Sequence, residues 1–431
     1  MLRNVMKVVS LVFVFSLSTP AWAIPAFARN TGMSCSSCHD AWPRLNDFGE
    51  LYRDRGYRVA PSQQSVWTEL LGSVPASFRT TVGYQYTSNT HQATDSGDKT
   101  VSTGSFPFPA GDIYFGGALA DHVSVYADIA GFSQDATASL ESAWGRINDV
   151  VPNWVNIKVG HLEMDLPVSM HRSLTIYSPF LVYGYHPSGS TNGFNFGENQ
   201  LGVEVMGHSP GPGFRYSVTF STSSEVATAN LFSAPVVYGH ATYTWLPASK
   251  AIGRVRVGAF GDVGWWPTRF QTLTSADGVA VPVPGTWSGL KQHSRAGADF
   301  QMTFGSVSTP LTFSAVWMNA QEDAALVEKG ARSARFTGGF TQLDYTPVLP
   351  FTFGVRYDGV YNLQQADLAQ PKNSNQQQGL TAFARYSVWM GAWGALAVHV
   401  EGGNTVTQNA ASVPINAVRS TFAFAGLDFL L

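Results

Sequence analysis

The sharpest chemical pattern in the chain is C-S-S-C-H at residues 35–39. At this spacing two thiols can reach the two vinyl groups of a haem while the imidazole comes under the iron. The pattern predicts one covalent haem c, with Cys35 and Cys38 as attachment sites and His39 as an axial ligand. Two alternatives stay open, a local disulfide and a thioredoxin-like redox pair. The redox pair normally belongs to a βαβ unit, and no such unit surrounds this motif.

The second axial ligand of that haem is less well specified. Histidine and methionine are the usual ligands, and methionine raises the potential. Met170 and His171 are the predicted distal candidates, because their long polar connection could fold back over the haem. Met33 lies too near Cys35 to reach the opposite face easily, and an open or water-bound iron is a further alternative. A wider set faces the lumen by strand parity: Met164, His208, His240, His293 and His399.

The motif lies in a segment predicted as residues 24–73 with its linker, and the 37 residues from Ile24 to Ala60 are too few to enclose a haem. Chains below about 40 residues rarely fold without outside help. After the motif, Pro43 suits the first turn of a helix and Gly56 suits its stop. Apolar residues recur between them at helical spacing: Leu45, Phe48, Leu51 and Tyr52. The apolar face of this helix and the haem edge must be covered by another part of the chain.

Residues 1–23 have the features of a secretory signal peptide. Arg3 and Lys7 precede an apolar stretch, and an A-x-A pattern ends at Ala23. A retained membrane anchor is the alternative, but the apolar stretch is short for a membrane-spanning helix. We expect a mature chain that begins at Ile24 and lies outside the cytoplasm.

The composition excludes several classes of protein. Charged residues make up 13% of the chain, aromatic residues another 13%, and glycine contributes 42 residues, which is not a disordered composition. A formal net charge of −3 offers no basic surface for nucleic acid. After the first 23 residues no apolar run approaches the ~18 residues of a spanning helix.

Residues 74–431 read as short strands with period-two alternation. In 254–263 nearly all apolar side chains have odd numbers and every charged side chain has an even number, and 295–302 and 351–358 repeat the split. Two faces that meet different solvents are typical of a barrel wall, although a soluble sandwich could also alternate. The terminal stretch 423–431 suits a closing strand. Three aromatic side chains fall near strand ends, as interfacial girdles do: Trp245, Trp265 and Tyr386.

Short and long connections alternate along this region, which favours the barrel over the sandwich. Turn-rich short links fall near 120–121, 151–153, 210–213, 248–250, 307–308, 348–349 and 391–394. Longer polar links fall at 89–109, 166–196, 268–286, 320–331, 364–376 and 404–417, with shorter ones near 134 and 225. The predicted fold is all-β, an outer-membrane antiparallel β-barrel of about 16 strands with both termini in the periplasm. The short helical haem segment is expected to plug or cap its lumen.

The N-terminal residues resemble a known family. The matching residues are Phe27-Ala28-Arg29, Thr31-Gly32-Met33-Ser34-Cys35, Cys38-His39, Pro43-x-Leu45, Phe48-Gly49 and Gly56-Tyr57. They are similar to the head of the outer-membrane cytochrome-porin fusions of bacteria that oxidise ferrous iron at the cell surface. The resemblance implies a single c-type haem beside a porin-like barrel, with electrons passing from extracellular Fe(II) to a periplasmic carrier. The chain departs from the family pattern at Asp40-Ala41-Trp42, at Asn46-Asp47 and at Arg53-Asp54-Arg55.

Together these features predict electron transfer across the outer membrane, between an extracellular donor or acceptor and periplasmic c-type cytochromes. An Fe(II):cytochrome oxidoreductase is one form of that activity, and the sequence contains no side-chain constellation of a hydrolase or phosphate-binding enzyme. The alternatives are a solute channel whose haem segment is a plug or redox sensor, and a plain porin with a C-x-x-C disulfide. Five lumen-facing arginines could bind haem propionates or pair with Asp262, Asp299 and Asp358: Arg254, Arg256, Arg295, Arg356 and Arg385.

Overall fold

The computed structural model describes most of the barrel and most of the N-terminal segment. The described residues are 27, 31–59, 76–94, 97–106, 111–131, 139–187, 194–222, 234–248, 251–267, 272–274, 280–282, 290–305, 309–323, 333–348, 350–365, 373–391, 394–408 and 417–431. The predicted signal peptide, its cleavage before Ile24 and the linker at 60–75 lie outside them. Within the described part of the chain, no helix has the length and apolar character needed to cross a bilayer.

The helices and strands follow in chain order. The N-terminal segment, residues 31–59 with Phe27, contains α1 (Cys35–Cys38), β1 (His39–Ala41), β2 (Arg44–Leu45) and α2 (Asp47–Asp54). The next strands are β3 (Ala76–Thr94), β4 (Gly97–Ser105), β5 (Gly111–Ala120), β6 (Val123–Gly131), β7 (Ser139–Val151), β8 (Val155–Leu162), β9 (Gln200–His208), β10 (Phe214–Thr222), β11 (Pro235–Trp245) and β12 (Ile252–Pro267). The last are β13 (Thr272–Thr274), β14 (Ala280–Pro282), β15 (Leu290–Phe304), β16 (Leu311–Glu322), β17 (Ala334–Val348), β18 (Phe351–Gln364), β19 (Gln377–Gly391), β20 (Gly394–Gln408) and β21 (Ala417–Leu430).

Apart from the small pairs β1–β2 and β13–β14, the described strands form one closed antiparallel barrel. β4 and β5 are consecutive pieces of one wall strand, because both pair with β3, so the wall has 16 strands. The predicted closing strand is confirmed, since β21 pairs with β3 from Leu430↔Arg79 to Ser420↔Asn89. Closure leaves no free sheet edge, which a bilayer core would not tolerate.

The predicted alternation of short and long connections is confirmed. One end of the barrel has the short links, which join β5 to β6, β7 to β8, β9 to β10, β11 to β12, β15 to β16, β17 to β18 and β19 to β20. The long links lie at the opposite end. One prediction was wrong in detail. Much of the expected loop at 89–109 is strand, because β3 and β4 pair with each other as far as Thr94↔Gly97.

The two faces of the wall have different polarity, as the alternation predicts. On β18, Arg356 and Asp358 are each 1% exposed, whereas Val355 is 48% and Tyr357 is 44% exposed. The outward apolar side chains form a belt of the kind that faces lipid in outer-membrane barrels. Charged side chains therefore collect inside the barrel, where they meet the chain segments that fill it.

The N-terminal segment lies inside this wall. The sequence places the helix start at Pro43, but α2 begins at Asp47. Asn46 caps it, since the Asn46 side chain accepts a hydrogen bond of 2.9 Å from the Gly49 amide. Pro43 stands before the strand that contains Leu45, so neither residue is helical. The predicted stop is confirmed, because α2 ends at Asp54 and Gly56 follows with a φ of +69°.

Gly56 lies against the wall. Its carbonyl accepts a hydrogen bond of 2.7 Å from the Ser124 hydroxyl of β6. A Cβ at Gly56 would overlap the side chain of Asn148 on β7. Two residues later Arg58 forms an ion pair of 2.5 Å with Asp149. The end of α2 is thus held at the short-link end of the wall.

A second chain segment also fills the barrel. We call residues 163–187 and 194–199 the lumen segment; they lie in the long β8–β9 connection. Its apolar side chains pack with lumen-facing side chains of the opposite wall in one cluster: Met164, Leu166, Phe180, Val182, Tyr183, Tyr185, Phe194, Phe196, Val236, Tyr238, Phe260, Val316, Met318, Ala320, Phe336, Phe340 and Val360. A buried apolar core of this size inside a barrel stabilises a filled lumen.

Trp42 fixes the beginning of the N-terminal segment to the wall. Its ring lies between two guanidinium groups, with the Arg79 carbon 4.9 Å and the Arg385 carbon 4.5 Å from the ring centroid. Both arginines are in turn paired with Asp428, at 3.0 and 2.7 Å. Trp42 is 4% exposed, so the contact combines cation–π attraction with burial.

We expect Trp42→Ala to loosen the N-terminal segment, because deletion of a buried tryptophan side chain costs about 3–5 kcal/mol. The measurement is the rate at which trypsin cleaves the folded protein after Arg44 and Arg53, which should rise at least tenfold. The matched control is Trp317→Ala, which removes the same side chain from the outer face. Equal cleavage rates in the two variants would contradict the assigned contact.

Candidate functional site

A cavity of about 430 Å³ lies between the N-terminal segment, the wall and the lumen segment. Its size is within the range of cofactor pockets, roughly 300–1,000 Å³. Cys38 and His39 line it together with aromatic rings of both the segment and the wall. Tyr57 stacks on Phe27 at 4.6 Å and on Trp144 at 6.1 Å between ring centroids. The motif singled out by the sequence thus faces a cavity inside the barrel that aromatic rings line.

His39 has the surroundings of an oriented metal ligand. It is 7% exposed, and its Nδ1 lies 3.0 Å from the Arg44 carbonyl oxygen. Burial lowers the pKa of His39, so the ring is neutral, Nδ1–H donates to that carbonyl, and the lone pair is on Nε2. A backbone carbonyl on the second ring nitrogen is the usual way to fix a ligating imidazole.

Cys38 is a half-buried free thiol in α1. Burial raises its pKa to about 11, so the thiol stays protonated at neutral pH. Reactive redox cysteines have the opposite character, an exposed thiol of low pKa. The backbone of Cys35 begins α1, and its side chain lies outside the described residues.

The structure sorts the predicted distal ligands into two groups. Met33, Met164, Met170 and His171 line the cavity with His39. Met206 on β9 lines it too, and the sequence analysis did not single it out although its even number has lumen parity. Three other histidines do not line it and are paired with carboxylates: His240 with Asp299, His293 with Asp262 and His399 with Glu401. His208 also stands apart, with Nδ1 2.7 Å from the Ser209 carbonyl.

The five lumen arginines are all bound to protein groups. Arg254 and Arg256 contact the acidic first turn of α2, at Asp47 and Glu50. Two others pair with wall carboxylates, Arg356 with Asp358 and Arg385 with Asp428, both at 2.7 Å. Arg295 donates to the Phe194 carbonyl at 3.1 Å. These contacts favour pairing of the arginines with protein carboxylates over binding of haem propionates. They also hold the N-terminal and lumen segments in place.

Arg146 is the basic side chain that the sequence analysis missed. It lies on β7, is 3% exposed and lines the cavity. Its terminal nitrogens donate to the backbone carbonyls of Arg53 and Asp54, while Nε has no partner among the described residues. A buried guanidinium nitrogen without a partner fits an anionic group in the cavity.

Asp54 ties α2 to the opposite wall. Its carboxylate lies 2.6 Å from Arg215 of β10 and 3.3 Å from Arg53. Arg215 also binds Asp165 of the lumen segment. Burial alone would raise the pKa of Asp54, but the two guanidinium groups hold it well below its usual range. One carboxylate thus joins the N-terminal segment, the wall and the lumen segment.

Because the folded-state pKa of Asp54 is below the unfolded value of about 3.9, its ion pairs stabilise the docked segment fully above that pH. The stabilisation is lost as the pH falls through the folded-state pKa. We expect the protection of the α2 amides against hydrogen exchange, corrected for the intrinsic pH dependence of exchange, to fall below about pH 4. In Asp54→Asn exchange should already be fast at pH 7 and depend less on pH. The control is Asp121→Asn, an exposed turn carboxylate, which should exchange like the wild type.

Several departures from the family pattern take part in contacts with this particular wall. Asp40 pairs with Arg44 at 3.0 Å, and Arg44 reaches Asp344 on β17 at 2.9 Å. Trp42, Asp47 and Asp54 bind wall arginines as described above. Sequence alone could not assign the contacts with the wall, because each wall partner lies at least 37 residues away along the chain.

A closed wall with alternating connections, filled by folded segments, is the architecture of an outer-membrane porin-type barrel. No family model matches the chain, and no curated protein matches it in sequence. Among solved structures, the anion-selective porin of Comamonas acidovorans has a TM-score of 0.52 at 8% identity, with 83% of this chain and 99% of the porin covered. OmpF of Salmonella typhi has a TM-score of 0.49 at 9% identity, with 82% and 97% covered. The likeness to the Comamonas porin confirms the predicted fold class.

Proposed function

We propose that the protein is an outer-membrane monohaem c-type cytochrome fused to a porin-like barrel. It passes electrons between an extracellular partner, with Fe(II) as the donor, and a periplasmic c-type cytochrome, and both termini lie in the periplasm. The observation that carries the proposal is the cavity between the N-terminal segment and the wall that Cys38 and His39 line. A C-x-x-C-H motif in an open channel or on a loop would lack this shelter.

The residues of the cavity have separate roles in this proposal. Cys35 and Cys38 attach haem c, His39 holds the iron through Nε2, and His171 or Met170 is the distal ligand. Arg146 binds a propionate through the nitrogen that has no protein partner. The bound haem would supply reversible one-electron transfer, and the aromatic rings around it exclude water and raise its sensitivity to nearby charge.

A solute channel is the second candidate function, and the porin-like fold is the observation in its favour. The haem segment would then be a plug or a redox sensor. The apolar cluster across the lumen is the observation against an open channel, because water and ions do not pass an apolar core. The two functions differ in what the purified protein transports.

The test uses the full chain from a host that matures c-type cytochromes. Haem staining of a denaturing gel should label the protein, because a covalent haem survives denaturation. In liposomes, wild type should deliver electrons from external Fe(II) to an enclosed acceptor and conduct few ions. Cys38→Ser should lose both the stain and the electron delivery, whereas Ser387→Ala, in the wall, should keep both.

Conductance without electron delivery would overturn the electron-transfer proposal and support the channel. An unstained wild-type band would overturn the haem assignment itself and leave the plain porin with a C-x-x-C disulfide. A stained protein that delivers electrons only outward, to an external acceptor, would reverse the direction and exclude Fe(II) as the donor.

A further inference from the structure

Three carboxylates from neighbouring strands meet on the wall of the same cavity. Asp112 of β5, Asp128 of β6 and Glu141 of β7 each offer an oxygen, and these atoms all lie within 4.8 Å of one another. All three side chains line the cavity with Cys38 and His39. They lie toward the end of the strands away from the short links at 121–122 and 152–154. We call these residues the acidic triad.

Glu141 joins the triad because β7 contains a bulge. In the pairing of β6 with β7, Asp128 is opposite Ser142 but Ile129 is opposite Leu140, so Glu141 is the extra residue. Regular alternation would turn it outward, since Ser142 and Trp144 face the cavity. A β-bulge turns a side chain to a face that the strand period would not give it, and bulges recur beside functional sites. The bulge in β7 is therefore what brings the third carboxylate into the triad.

The triad has no basic partner among the described residues. None of the three carboxylates forms an ion pair with any residue that the structure describes. Arg79 is the nearest guanidinium in electrostatic reach of Asp112 and Asp128, but it is bound to Asp428 at 3.0 Å. The polar neighbour of Asp112 is Tyr114, whose hydroxyl donates to it at 3.2 Å.

The surroundings of Asp128 give a second observation, separate from the clustering of carboxylates, that points to a bound ligand. It is 6% exposed, and its buried Oδ1 accepts no hydrogen bond from any described group. A buried carboxylate oxygen without a partner is destabilising unless something binds it. With two further carboxylates within 4.8 Å, an additional proton donor would satisfy one oxygen and leave the others repelling each other. A divalent cation would satisfy all three at once.

We propose that the acidic triad binds a divalent metal cation, with His171 of the lumen segment as a nearby nitrogen donor. His171 lines the same cavity and interacts electrostatically with Asp112 and Glu141. Carboxylate oxygens suit hard divalent ions and an imidazole suits iron, so ferrous and manganous ions match this donor set. The assignment gives His171 an alternative to its role as distal haem ligand.

This inference rests on the proposed electron-transfer function and names the binding site of its donor. A ferrous ion held by the triad would be oxidised to Fe(III) with the loss of one electron. The haem that Cys35, Cys38 and His39 would hold would accept that electron, so one Fe(II) would be consumed for each haem reduced. The shared cavity places donor and acceptor within one enclosed space.

The test measures binding of Mn(II), which has the same charge and a similar ligand preference but is not oxidised here. Full-length protein in detergent is titrated, and free Mn(II) is read from its paramagnetic resonance signal. Wild type should bind one Mn(II) per chain, and Fe(II) added without oxygen should displace it. Asp128→Asn and Glu141→Gln should each weaken binding at least tenfold. The matched control, Asp121→Asn, removes the same charge from the turn of the same hairpin and should bind like wild type.

Absence of saturable Mn(II) binding in wild type would overturn the site, whatever the variants do. Equal affinity in wild type, Asp128→Asn and Glu141→Gln would overturn it as well, since the ion would then lie elsewhere. The haem stain separates this failure from that of the proposed function. Stained protein that binds no Mn(II) loses only the metal site, and unstained protein that binds Mn(II) through the triad loses only the electron-transfer proposal.

Discussion

Alanine in place of both Phe180 and Phe196 should turn the barrel into an ion-conducting pore. Phe180 packs on Phe340 of the wall, with 4.3 Å between ring centroids, and Phe196 packs on Tyr238 at 5.6 Å. Each buried phenylalanine contributes about 3–5 kcal/mol to the packing of the lumen segment. The two deletions remove both ends of the apolar cluster that joins the lumen segment to the wall.

Water should enter the space thus created, because charged side chains stand directly beside it. Arg356, whose guanidinium carbon lies 4.2 Å from the Phe180 ring centroid, would lose its apolar cover. The measurement is single-channel conductance in planar bilayers, and we expect at least a tenfold rise over wild type. The matched control is Phe220→Ala with Phe353→Ala, which removes two rings from the outer face.

A wild-type conductance already equal to that of the double variant would contradict the filled lumen and favour the solute channel. Unchanged conductance in the double variant would mean that other contacts hold the lumen segment. The hydrogen bonds that Arg356 and Arg295 donate to backbone carbonyls of that segment would then contribute more to its stability than the rings.

The barrel could be predicted from sequence because its wall separates two environments. Each strand alternates polar residues on the lumen side with apolar residues on the outer side. Val355, Arg356 and Tyr357 illustrate this, since their faces follow directly from their parity. The apolar cluster in the lumen could not be predicted in the same way. Its wall residues, from Val236 to Val360, come from five strands, and each replaces a polar residue on the inner face of its own strand. These apolar residues are far apart in sequence and come together only in the folded barrel.

The residues of the candidate site also fall into those that the sequence could identify and those that it could not. Cys38 and His39 are recognisable because their chemistry depends on local spacing, which the sequence contains in full. Arg146 and Glu141 were missed because their roles depend on tertiary structure, one on an unpaired buried nitrogen and the other on a bulge that overrides parity. The helix start was misplaced because Pro43 is a permissive signal, whereas the side chain of Asn46 makes the capping bond.

Replacing His39 by methionine should raise the midpoint potential of the proposed haem by on the order of 100 mV, within the roughly 0.8 V that axial ligands span. Thioether attachment at Cys35 and Cys38 does not involve the His39 ring, so the stained band should persist. The fixed hydrogen bond from Nδ1 to the Arg44 carbonyl would be lost with the imidazole. Electron delivery from Fe(II) should change with the potential. Redox titration with absorbance detection measures the potential, and the liposome assay measures the electron delivery.

A second variant keeps this prediction testable if methionine does not fit the space. His39→Gly leaves room beside the cavity for free imidazole, and addition of imidazole should restore the wild-type potential and spectrum. The matched control is His122→Met, at an exposed turn position of the wall, which should leave the potential unchanged. An unaltered potential in His39→Met, or no response of His39→Gly to imidazole, would show that another residue holds the iron on that face. Because the carbonyl of Arg44 fixes only one ring nitrogen of His39, recovery by unattached imidazole would also separate ligation from mere packing.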